Sequence, residues 1–182
     1  MNLRLALAEL WLPPFVRRRE LVGLFGLTGE AFDAPLPSLA GLSFDGMVEA
    51  YARWTQEQAS RALVDASRAA AARARLRDLS FVYGHRLGKM LGLRTRSQVM
   101  RAGRLLYRLL GIDFEGTEEG TILISRCSFS RFYTPATCAL IAGLDEGVLA
   151  GLSGEGRLEF TGRITEKNDA CRARFLFPEG LP

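Results

Sequence analysis

The chain has 182 residues, 48% hydrophobic and 24% charged, the composition of an ordinary globular domain rather than a disordered or fibrous one. Its formal charge is +4, almost all of the positive side arginine with Lys89 and Lys167 the lysines, and acidic residues are interspersed throughout. The longest basic run is Arg17-Arg18-Arg19, so the charge reads as compositional bias and no nucleic-acid partner is expected.

Residues 1–40 form a helical lead-in. Leu3–Trp11 and Phe15–Phe25 predict two short apolar helices split by Pro13-Pro14. The first is apolar around most of its surface, which predicts burial or a partner, and a homodimer through these helices is expected. The stretch is too short to span a bilayer and lacks the layout of a secretory signal, so a cytoplasmic protein without membrane attachment is expected.

Residues 41–182 read as a single α+β domain. Ser43 caps a long helical region reaching about Leu93, with Asp45 in its first turn and an alanine-rich tract over residues 66–74. One straight helix would be about 75 Å long, so two helices or a bend are expected, at Gly84 or near Arg77-Asp78. Thr95-Arg96-Ser97-Gln98 fits a capping box opening a helix that stops at Gly111. The period then changes. Ile112–Glu115 and Thr121–Cys127 predict a hairpin, and Thr134-Pro135 opens a helix running to about Leu152. Arg157–Thr165 and Ala170–Phe177 alternate as strands around the turn Lys167-Asn168-Asp169. The expected fold is a helix-rich N-terminal half followed by a β-β-α-β-β unit with an antiparallel sheet.

The three cysteines, Cys127, Cys138 and Cys171, all fall in that unit. Odd in number and widely spaced, they predict free thiols in a reducing compartment. Cys138 and Asp145, seven residues apart on one helix, share a face. A thiol near a helix N-terminus is a candidate nucleophile, because the dipole favours the thiolate. Asp145 or Asp169 could hold an amine or move a proton, and Arg126, Arg131, Arg163 and Arg174 could grip a carboxylate. Beside these stand plainer alternatives: Cys171 alternates with Ala173, Phe175 and Phe177 as a core residue would, and Asp169 suits a turn. Three thiols plus Asp169 could supply four zinc ligands, but no CxxC or HxxxH pair is present, so no cofactor is expected, with zinc the alternative. The lone histidine, His85, has helical neighbours Phe81, Val82 and Lys89.

The string Cys127-Ser128-Phe129-Ser130-Arg131-Phe132-Tyr133, then Cys138, Asp145-Glu146-Gly147, Phe160–Thr165 and Asn168-Asp169-Ala170-Cys171-Arg172, resembles the L-2-amino-thiazoline-4-carboxylic acid hydrolase family over residues 115–178. Ser128 stands where that family's pattern has Pro, and Asn168 where it has Gly. The resemblance implies ring-opening hydrolysis of a small cyclic amidine-like thiazoline to a carbamoyl-cysteine. The positions that match are Cys127, Cys138, Asp145, Asp169 and Cys171; of these we read Cys127, Asp145 and Asp169 as catalytic, and Cys138 and Cys171, with Arg126 and Arg163, as surrounding the substrate. The order of elements also resembles 4-vinyl reductase domains and the related TRAPP-subunit fold, which implies a small-ligand-binding or scaffold domain without catalysis.

Overall fold

The computed structural model describes residues 2–182. Six helices precede and interrupt a four-stranded antiparallel sheet: α1 Leu3–Leu10, α2 Pro14–Phe32, α3 Phe44–Ala62, α4 Ala66–Leu91, α5 Arg96–Leu109, β1 Ile112–Gly116, β2 Thr121–Cys127, α6 Pro135–Ser153, β3 Arg157–Gly162 and β4 Cys171–Leu176. The sheet order is β1-β2-β4-β3. The α+β architecture and the β-β-α-β-β order are those the sequence pattern predicts.

Local chemistry sets most boundaries. The Ser43 hydroxyl accepts from the Gly46 N–H at 3.1 Å, and the Thr134 hydroxyl from the Thr137 N–H at 3.1 Å, with Pro135 at the first helical position of α6. Thr95 caps α5, but Gln98 Oε1 accepts from the Arg94 N–H rather than from the cap's own N–H.

Three boundaries differ from expectation. α2 runs on to Phe32, because nothing in Gly26–Ala31 breaks a helix once Phe25, Thr28 and Ala31 are buried along it. The long helical region divides at Leu63–Asp65, not at Gly84 or Arg77-Asp78. Asp65 is the reason: its carboxylate accepts from the Ser67 and Arg68 N–H groups at 2.7 and 3.0 Å and starts α4 afresh. The strand from Arg157 stops at Gly162 and turns through a short 3-10 helix, Ile164–Glu166.

Gly84 has a packing role instead. α4 and α6 lie backbone against backbone, and a Cβ on Gly84 would stand 2.4 Å from the Val148 carbonyl oxygen. Gly147, across the same seam, would meet the Arg77 carbonyl oxygen at 2.1 Å. Glycine is what allows this approach. α6 is also the one helix among the described residues long and apolar enough to cross a bilayer, and 61% of that stretch is buried inside the fold. Its apolarity serves as core between α4 and the sheet.

The lead-in shares this core: Leu5, Leu21 and Phe25 belong to the same buried cluster as Leu149 and Phe175. α1 is nevertheless only half satisfied, since Leu3, Leu7, Leu10 and Trp11 are all more than half exposed.

Candidate ligand-binding cavity

α6 is pinned to α4 by its glycines, whereas α5 packs on β1 and α2 packs on α3 and α4 through longer side chains. A cavity of about 170 Å³ remains where these elements converge. Its wall is mostly leucine, isoleucine and aromatic, from Leu24 and Leu27 on α2 to Ile124 on β2 and Phe160 on β3. α2 supplies a rim where Arg17 and Glu20 are half-buried and Gly23 is exposed, and Glu20 accepts from the Tyr83 hydroxyl at 2.9 Å.

Cys127, Cys138, Cys171 and Asp145 all line this one space. β2 ends at Cys127 and pairs with β4 so that Ile124 lies opposite Cys171. α6 follows directly, bringing Cys138 and, two turns on, Asp145 to the same wall. The convergence of separated sulfur and carboxylate groups is therefore present.

The other predicted site residues lie elsewhere. Asp169 is at the exposed turn, 78% open to solvent, with its carboxylate paired to Arg172 at 2.7 Å. A turn aspartate two residues before β4 follows the chain outward while Cys171 points in. Arg126 would face inward with Ile122 and Ile124 by strict alternation, but the pairing of β2 with β1 carries a bulge between Ile124 and Arg126 that turns it outward; it is exposed and pairs with Asp113 at 2.9 Å. Arg163 is intermediate: its guanidinium stacks 4.6 Å from the Phe160 ring, behind the cavity wall, and pairs with Glu166. His85 stacks on Phe81 along α4 and does not line the cavity. Among the described residues no three Cys, His, Asp or Glu side chains are grouped to hold a metal ion.

Electrostatics separate the thiols from ready nucleophiles. Burial pushes Cys127 up to about 12, although the Phe129 and Ser130 N–H groups pull the other way. Burial likewise pushes Cys138 to about 11 in spite of its place in the first turn of α6, and raises Cys171. Desolvation of the thiolate thus outweighs the helix dipole that the sequence pattern emphasised. Asp145 is raised to about 6, again chiefly by burial, and it accepts a 2.6 Å hydrogen bond from the Tyr107 hydroxyl.

Sequence reasoning missed the helical half of this chamber, Tyr51, Ser80, Tyr83 and Tyr107 above all. A signal existed for Tyr107: it lies four residues after Gly103 and seven after Met100, on the buried face of α5. Ser80 and Tyr83 carried none, because α4 reads as arginine-rich and solvated over much of its length.

No protein-family model and no curated protein matches the chain. Among solved structures, a trafficking protein particle complex (TRAPP) subunit 3 from Naegleria fowleri, covalently bound to palmitic acid, superposes with a TM-score of 0.51 at 16% identity. The match covers 74% of this chain and 97% of that one. The fold is TRAPP-subunit-like. This agrees with the second of the two resemblances in the sequence; the thiazoline hydrolase family is not addressed by it.

Proposed function

We propose that the chain is a small-ligand-binding domain of the TRAPP-like type, whose cavity takes an apolar molecule or the apolar chain of an amphiphile. One observation carries the proposal: a largely apolar chamber of about 170 Å³ remains between α2, α5, α6 and the sheet, where protein interiors are ordinarily filled. Space of this order is enough for a molecule of aromatic-ring size. The palmitic acid held by the Naegleria protein supports an apolar occupant in this architecture.

Ring-opening hydrolysis with Cys127 as nucleophile is the weaker reading. A thiol pushed to about 12 is almost wholly protonated near neutral pH, and Asp169 lies at an exposed turn with its carboxylate engaged by Arg172. The homodimer expected through the N-terminal helices belongs to the proposal as well. Leu3, Leu7 and Leu10 line up on the exposed side of α1, with Trp11 beside them. Sedimentation of the protein and of a Leu10→Glu variant tests it, and a monomer at all concentrations would refute it.

The ligand proposal is tested by titration calorimetry with 1-octanol. Saturable binding is expected in the parent chain, and Leu24→Trp, which fills the cavity from the rim, is expected to abolish it. No heat of binding, or equal binding by the filled variant, would overturn it.

A further inference from the structure

The apolar cavity contains polar groups that the fold itself leaves unused. Asp145 engages Tyr107 through one carboxylate oxygen. Among the described residues its other oxygen has no hydrogen-bond partner and no cation pairs with it, the surrounding charges being Glu146 and Arg163 acting at a distance. Ser80 on α4 lines the same cavity, is fully buried, and its Oγ has no partner among the described residues. Helical serines commonly satisfy themselves by donating to a carbonyl one turn back. Ser80 does not, and a buried hydroxyl without a partner costs about 1–3 kcal/mol. Its Cβ packs against the α4-facing seam of α6 at Gly147, and Ser80 reaches the cavity that Asp145 lines from another face of α6.

The cavity thus holds an unused carboxylate oxygen on α6 and an orphaned hydroxyl on α4, while its charged rim on α2, Arg17 and Glu20, lies apart from them on another helix. We propose that the cavity selects its ligand by the polar end, taking a primary ammonium group on an apolar chain, with Asp145 as the acceptor and Ser80 as a second polar contact. The inference rests on the cavity reading above and adds the class of ligand to it. An ammonium group carries a compensating charge and three N–H donors, one for the free oxygen of Asp145 and others for hydroxyl lone pairs. An alcohol offers one donor and no charge. A chain ending in carboxylate brings a second negative charge to Asp145 where water is scarce, and it offers no donor.

The test is calorimetric titration of the full chain with octylamine, 1-octanol and octanoate at about pH 7.5, above the value of about 6 to which burial raises Asp145. Octylamine is expected to bind tightest and octanoate weakest, the two separated by roughly tenfold or more. The formal charge of +4 would by itself favour the anion, so the preference has to arise locally. In Asp145→Asn the affinities of octylamine and 1-octanol are expected to converge. Ser80→Ala is expected to weaken octylamine by about threefold, and it carries the test if the first variant does not fold. Octanoate binding as tightly as octylamine, or a preference for the amine that survives Asp145→Asn, overturns the assignment. If 1-octanol binds and octylamine shows no advantage, only this inference falls. If none of the three binds, the cavity reading falls with it.

Discussion

Asp145 and Asp169 lie on the inner wall and the outer turn of one β-α-β-β unit, and their surroundings drive them in opposite directions. On the inner wall, burial raises the Asp145 carboxyl to about 6, although the Tyr107 hydroxyl donates a hydrogen bond to it. At the turn, the Arg172 guanidinium lowers Asp169 while solvent surrounds both. The cysteines tell the same story as Asp145: all three face inward and all three are raised by burial. The comparison teaches that residue type and spacing nominate a group for chemistry, while the side of the sheet it faces decides what chemistry is open to it. Inside, the groups are neutralised or held for a ligand; outside, they are ion-paired and solvated.

The contrast can be broken at the seam that creates the inner wall. Gly147→Val places a side chain against the Arg77 carbonyl oxygen, which a bare Cβ would already approach to 2.1 Å. Forcing α4 and α6 apart is expected to destabilise the fold by about 3 kcal/mol or more, read from chemical denaturation. Next in size is thiol reactivity. With Cys127 at about 12, its alkylation by iodoacetamide at about pH 8 is expected to run at least a hundredfold slower than that of free cysteine. Fast alkylation near neutral pH would restore the case for a nucleophilic Cys127.

A pH effect separates the two aspartates. A carboxyl raised from 3.8 to about 6 in the folded state favours the protonated form. Its contribution to stability is therefore fully present below about pH 4 and is lost as the pH rises through about 6. Asp145→Asn removes that loss, so the variant is expected to gain roughly 2 kcal/mol on the parent between about pH 4 and pH 8. Tyr107, Glu146 and Arg163, which share the surroundings of Asp145, are unchanged by this substitution. Thermal melts at the two pH values read the difference, and a constant gap between the curves would contradict the assignment. The smallest effect belongs outside: Asp169→Asn and Arg126→Ala are expected to leave melting temperature and 1-octanol affinity unchanged, since both side chains sit in exposed ion pairs.

Much of the fold was legible because its signals are local. Ser43, Thr134-Pro135 and the alternation around Phe175 act within one turn or one strand, and each appears in the structure where the pattern put it. The break at Asp65 was equally local and was passed over, because the alanine tract following it reads as uninterrupted helix. The site was legible only on its sheet side. That Cys127, Cys138, Asp145 and Cys171 converge follows from a short β-α-β-β connection. That Tyr107 and Ser80 join them follows from how α4 and α5 pack on α6, a tertiary fact with no short-range sequence signature. The direction of the cysteine shifts was hidden for the same reason, since desolvation depends on what covers a thiol and not on what precedes it in the chain.

The central claim is that a ligand occupies the chamber onto which Cys127 and Cys138 open. It is tested most directly by alkylating the chain at about pH 9, where slow thiols react measurably, with and without saturating 1-octanol, and mapping the modified cysteines by mass spectrometry. Protection of Cys127 and Cys138 by the alcohol, lost in Leu24→Trp, is the predicted result. Alkylation that proceeds at the same rate with the alcohol bound would place the ligand elsewhere and contradict the account.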